Sequence, residues 1–178
     1  MVGIADFKSK LIGGGARANQ FKVSLIPPAL VAGASNAGRA LEFLCRATSL
    51  PASILSDIPV MYRGRAVHVA GEREFQPWSI SVYNDTDFGI RDALEAWHHM
   101  IVNYNATDGR TMPLEYQVDA TVYQLDRNGN TLKSYRFKDL YPTTVSAIEL
   151  NYDTNNAIEE FTVDFVYNYY EPLRVAGA

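Results

Sequence analysis

The sequence predicts a mainly β protein, an antiparallel sandwich or barrel with one flanking α-helix and a projecting β-hairpin. Three observations predict it. Short runs of β-branched and aromatic residues alternate with period 2 along most of the chain, as in Trp78-Ser79-Ile80-Ser81-Val82-Tyr83. Turn signals separate those runs, Asn128-Gly129 the strongest of them. Only one segment keeps a helical stripe: Ile90, Leu94, Trp97, Ile101 and Tyr104 recur at 4-3-4-3 spacing. A length of 178 residues accommodates a single domain over residues 1–178 with a substantial core.

Residues 1–18 begin with an amphipathic piece, Ile4, Phe7, Lys8 and Leu11, and pass into Ile12-Gly13-Gly14-Gly15. No Lys-Ser/Thr pair follows these glycines, so they are not a phosphate loop. They read as a hinge, which makes the segment a flexible arm able to lie on a neighbour. Phe21, Val23 and Leu25 give a first strand, stopped by Pro27-Pro28. Ala29 to Arg39, small and rich in Gly and Asn, reads as a surface loop, and Leu41 to Thr48 as a second strand.

The stretch from Ile58 to Trp78 organises the rest. Val60 and Tyr62 precede a turn, Val67 and Val69 follow it, and Gly64 supplies the positive φ that a tight hairpin needs. Arg63 and Arg65 flank that turn, so the tip is cationic. A two-stranded ribbon is marginal alone in water and needs something to lie on. The hairpin over residues 58–70 therefore reads as a projection onto another copy, with Met61, Tyr62, Arg63, Gly64 and Arg65 as expected contacts between subunits. Gly71 marks the next reversal, and Glu74 to Tyr83 a longer strand placed at an edge or bulge by Pro77.

Asn84 to Asp87 is rich in capping residues and opens the one helix, over residues 87–104, with Arg91 and Glu95 as an i,i+4 pair on its outer side. Four strands follow: about Tyr116–Leu125, Leu132–Lys138, Val145–Tyr152 and Glu159–Tyr169. The last puts Phe161, Val163, Phe165, Tyr167 and Tyr169 on one face, and Glu160, Thr162, Asp164, Val166 and Asn168 on the other.

Chemistry finds few candidates. His98 and His99 are adjacent on a helix, about 100° apart, and cannot share a metal comfortably. His68 has no acidic or cysteine partner at ligand spacing. Asp126 to Asn130 suggests a calcium loop, yet its glycine is fourth instead of sixth and Phe137 stands where a Glu is required. Asp85 and Asp87 are explained by helix capping. Cys45, the single cysteine, can form no internal disulfide and reads as a buried structural thiol. No nucleophile, base and orienter set is present, so no enzyme, cofactor or metal site is expected. A formal net charge of −4 argues against electrostatic grip on nucleic acid, and no apolar run is long enough to span a membrane. A basic-then-apolar leader is missing from the N-terminal stretch, which makes assembly in a cytoplasm the expectation.

Three stretches in one collinear order carry a resemblance. The first is Cys45-Arg46-Ala47-Thr48 followed by Leu50-Pro51-Ala52. The second is Ile58-Pro59-Val60, then Val69-Ala70-Gly71-Glu72-Arg73, Phe75 and Trp78. The third is Leu140, Pro142-Thr143 and Val145, continuing into Asp153-Thr154-Asn155-Asn156, Ile158, Phe161 and Val163. Together, from about Phe43 to Tyr169, they resemble the tail tube protein of contractile-tailed bacteriophages. The connection at 29–39 is longer here than in that family's pattern.

The resemblance implies a structural subunit whose hexameric rings stack into a tube inside a contractile sheath. It implies as partners the chain itself, the tail sheath protein, the baseplate initiator and the tail terminator, with double-stranded DNA passing unbound down the lumen and no membrane. Under that reading Asp119, Glu160 and Asp164 are the expected lumen-facing carboxylates. An inner tube of a phage-derived injection or secretion machine is the related alternative. A small-ligand-binding barrel is the unrelated one, and the polar second face of the last strand fits it poorly.

Overall fold

A computed structural model describes residues 3–11, 15–105, 109–153 and 155–173. The Ile12, Gly13 and Gly14 part of the expected hinge, Ala106 to Asp108, Thr154 and the final five residues lie outside them. The architecture is a seven-stranded antiparallel sheet that folds over one core, with a separate two-stranded hairpin. Its elements are α1 (Ile4–Lys10), β1 (Phe21–Leu25), α2 (Ala34–Leu44), β2 (Cys45–Thr48), β3 (Ile54–Tyr62), β4 (Arg65–Glu74), β5 (Trp78–Tyr83), α3 (Gly89–Ile101), α4 (Pro113–Tyr116), β6 (Val118–Leu125), β7 (Thr131–Val145), β8 (Glu160–Val166) and β9 (Tyr169–Leu173).

The long strand β7 makes one sheet out of two layers. Its first half pairs with β6, which pairs with β1, and on its other edge with β9. Its second half pairs with β8, and the order continues through β5 to β2. Between the halves stands Asp139 at φ 57°, a conformation that non-glycine residues adopt at turns and bends. At the same level the chain breaks between β8 and β9. Asn168 holds the corner, its N–H donating to the Lys138 carbonyl at 3.0 Å and its amide to Asp139 Oδ2 at 3.0 Å.

The two halves close over aromatic side chains. Trp78 of β5 stacks on Phe137 of β7 at 4.5 Å, and Phe137 meets Tyr167 edge-on at 4.8 Å. Ile90, Leu94 and Trp97 of α3 are buried at the spacing expected, and Ile101 packs against the core. Tyr104 does not continue the stripe: it lies past the helix end, exposed, its ring against His99. Arg91 and Glu95 pair at 2.8 Å, as their i,i+4 spacing predicts, but Arg91 is not on an outer face: its guanidinium lies 5.5 Å from the buried Phe161 ring centre and donates to the Ser146 carbonyl at 3.1 Å. Neither Asp85 nor Asp87 is the helix cap. That residue is Phe88 at φ 54°, while Asp87 accepts from the Gly89 N–H at 3.2 Å.

Several expectations are corrected. The loop expected at 29–39 is a loop only to Gly33; from Ala34 on, it and the first half of the strand expected at 41–48 are the helix α2, so α3 is not the only helix. Small residues conceal its stripe: Ala34, Ala37 and Leu41 are buried at 3-4 spacing, packed on β1 and α3. Gly38 sits so close to β1 that a Cβ would meet the Leu25 carbonyl oxygen at 3.0 Å, so tertiary packing overrides its poor helix propensity. Phe43, read in a strand with Cys45, points from the helix into solvent.

The strand expected at 145–152 does not form. Instead β7 runs unbroken to Val145, passing Pro142 beside a register shift, where a ladder tolerates a proline. The strand expected to reach Tyr169 ends at Val166, and Tyr169 opens β9. The longer strand expected from Glu74 starts at Trp78, and Pro77 precedes it instead of marking an edge, since β5 lies between β8 and β2. Gly71 is no reversal either. It lies inside β4 opposite a bulge, where an added Cβ would stand 2.4 Å from Ser56 Oγ.

Candidate functional site

The hairpin of β3 and β4 belongs to neither half of the main sheet. Its residues from Asp57 to Ala70 are exposed on both faces, Met61 at 70% and Tyr62 at 63%. Tyr62 pairs with Arg65, leaving Arg63 and Gly64 as a two-residue loop with φ of 49° and 82°. That is the geometry of the primed turn that matches strand twist, which asks for Asn, Asp or Gly at its first position. Arg63 occupies that position at a conformational cost, with its guanidinium 5.4 Å from the Tyr62 ring centre. Neither Arg63 nor Arg65 has an ion-pair partner among the described residues.

His68 corrects an expectation: it does have an acidic partner. Across the hairpin Asp57 Oδ2 stands 2.6 Å from its Nδ1, brought there by pairing that the linear spacing hides. Two side chains do not make a metal site, and no group of three His, Cys, Asp or Glu assembles among the described residues. Of the helix histidines, His98 is partly buried with Nε2 3.2 Å from the Pro142 carbonyl, and His99 is exposed. Asp126 caps the β6–β7 turn. The Asn130 N–H leads the hydrogen bonds that hold its carboxyl below the ordinary range, and the Asn128 N–H adds another. Cys45 is partly buried, and desolvation pushes its thiol up to about 11 against a weak bond to the Ala47 carbonyl. At neutral pH it is a thiol, not a nucleophile.

The carboxylates Asp119, Glu160 and Asp164 all stand on the solvent side of their strands, and each is already engaged. Glu160 pairs with Arg46 of β2, and the hydrogen bond raises the guanidinium pKa. Asp119 of β6 pairs with Lys138 of β7, whose ammonium pKa rises for the same reason. Asp164 accepts from Ser79 of β5. Glu160 and Asp164 share one face of β8, on which Ser81 and Thr162 hydroxyls meet at 3.4 Å. Asp119 stands two strands away, on β6 across β7. The sequence reading found the acids and missed Arg46, Lys138 and Ser79. Only the strand register, Ser79 opposite Asp164 for example, could have matched them.

Other exposed apolar positions cluster away from the hairpin. Ile4 and Phe7 of α1, and Leu11 just past its end, are exposed on the segment expected to lie on a neighbour. Between β7 and β8, Leu150, Tyr152 and Ile158 stand out into solvent.

The comparisons with known proteins agree with one another. The family model described as phage tail tube protein matches residues 16–172. The tail tube protein of Enterobacteria phage T4 is 34% identical over 157 residues, covering 88% of this chain and 91% of the relative. The tail tube protein of Serratia phage KSP90 is 25% identical over 169 residues, covering 94% and 95%. Among solved structures, a chain of the anti-feeding prophage tube-terminating cap superposes with a TM-score of 0.63 at 14% identity, covering 90% of this chain and 91% of that one. A chain of an extracellular contractile injection system, in its extended sheath–tube complex, gives 0.56 at 13% identity and covers 94% and 97%.

Proposed function

The chain belongs to the phage tail tube protein family, a structural subunit of the virion tail and not an enzyme, and on that premise we propose how it builds its tube. Six copies close a ring in the host cytoplasm, rings stack through the β3–β4 hairpin and the N-terminal arm, and double-stranded DNA passes down the lumen. The tail sheath protein surrounds the stack, a baseplate initiator starts it and a terminator ends it.

The observation that carries this is the hairpin. A two-stranded ribbon exposed on both faces, with apolar side chains at half exposure or more, is incomplete as a monomer surface. Arg63 keeps its strained turn position where Asn or Gly would be easier, and strain retained at an exposed tip points to use. Electron microscopy of the purified protein with its initiating complex tests the reading: the expected result is stacked rings with an open lumen. A protein that stays monomeric and carries a small apolar ligand under every condition would overturn it.

Asp119, Glu160 and Asp164 line the lumen in this reading. Duplex DNA carries one negative charge per about 1.7 Å of axis, so a wall of free cations would hold it through many phosphates. Here Arg46 and Lys138 are each occupied by a carboxylate, and the hydroxyls of Ser79, Ser81 and Thr162 keep the surface wet. With the cations beside these acids already paired, the wall holds phosphate weakly and lets DNA slide. Changing all three acids to Lys should permit tubes but slow DNA passage, with the defect easing at high salt. Because two of those changes place Lys beside Arg46 and Lys138, Asp164→Lys alone is the cleaner variant. Tubes of the triple variant that deliver DNA at the wild-type rate in low salt would remove these residues from the lumen.

A further inference from the structure

The exposed loop between β7 and β8 has a composition opposite to the hairpin tip. From Ser146 to Glu160 there are four acids, Glu149, Asp153, Glu159 and Glu160, and no Lys or Arg. From Val60 to Val67 there are two arginines and no acid. The loop also forms a cleft of about 400 Å³ lined by Glu149, Leu150, Asn151, Tyr152, Ala157 and Glu159. Leu150 is 79% exposed at its wall and Ile158 70% exposed beside it. Glu160 is paired with Arg46 and Glu159 accepts from Asn84 at 2.9 Å, but Glu149 and Asp153 have no side-chain partner among the described residues.

We propose that this cleft is the receptor for the hairpin tip of a second copy: Met61 and Tyr62 pack against Leu150 and Tyr152, and Arg63 and Arg65 meet Glu149 at its wall and Asp153 farther along the same loop. The proposal rests on the tube reading above and names the surface that the hairpin contacts. One occupant fits both halves of the cleft. The tip brings two unpaired cations to two unpaired carboxylates and exposed apolar side chains to exposed apolar side chains. Neither surface satisfies itself within the chain, because the tip projects from β3–β4 and the cleft sits between β7 and β8. The contact is therefore head-to-tail, and such contacts propagate into closed rings or open stacks. Opposite charges also fix the register between copies, since a slip that faced acid with acid would be repelled.

The test is a charge swap on the full chain, with assembly read by sedimentation and electron microscopy. Arg63→Glu with Arg65→Glu, and separately Glu149→Lys with Asp153→Lys, should each leave thermal melting unchanged and lower the assembled fraction by about tenfold or more. Mixing the two variants should restore assembly, because each then supplies the surface complementary to the other. The four changes in one chain should restore it as well. Rescue in neither the mixture nor the fourfold variant would overturn the pairing, as would normal assembly of either double variant. If wild-type tubes form while the swap has no effect, the pairing fails and the tube reading stands. Wild-type protein that never passes beyond a monomer overturns both.

Discussion

Trp97→Ala will lower the unfolding free energy by about 3–5 kcal/mol. Trp97 is fully buried, touches Phe165 at 6.4 Å between ring centres, and donates its indole N–H to the Tyr116 carbonyl at 2.8 Å. Removing the indole opens a cavity under α3 and leaves that part-buried carbonyl without its donor. Native domains are stable by only about 5–15 kcal/mol, so the variant should lose soluble protein instead of losing assembly selectively. Urea unfolding followed by circular dichroism measures it. A midpoint equal to that of the wild type would mean that the α3 stripe does not anchor the helix.

Trp78→Ala will cost a comparable amount, about 3–5 kcal/mol, for a different reason. Trp78 ties the two layers: it stacks on Phe137 at 4.5 Å, tilts against Phe165 at 5.7 Å and donates to the Ser49 carbonyl at 3.0 Å. Without it the β5 half and the β6–β7 half lose their shared filler, and Phe137 loses a ring contact in addition to burial. Trp97 is the only tryptophan left in this variant, so its fluorescence reports the change directly. Trp78→Phe should recover most of the loss. Equal stability of the Ala and Phe variants would show that a ring at this position does not hold the two layers together.

The sequence by itself determined the β class, the hairpin with Gly64 at its tip, the Asn128-Gly129 turn and the buried stripe of α3. These share one physical feature. Each is local, encoded by periodicity or by a residue that tolerates a rare backbone angle, and needs no knowledge of what lies across the fold. The inward row Phe161, Val163 and Phe165 was legible for the same reason, because alternation alone separates two faces.

Tertiary structure decided the rest. The helix α2 was hidden because its buried face beside Leu41 is Ala34, Ala37 and Gly38, small residues that carry little hydrophobic signal, with Gly38 closely against β1. The continuity of β7 was hidden because a bend at Asp139 and a proline at 142 look like an end, and only pairing with β8 and the bond from Asn168 carries the strand through. At the candidate site, acids were readable but their partners were not. Arg46 lies 114 residues from Glu160, and His68 reaches Asp57 only through hairpin register. Charge in a sequence is a count, while charge on a surface is what remains after pairing, and pairing is fixed by contacts between residues far apart in the chain.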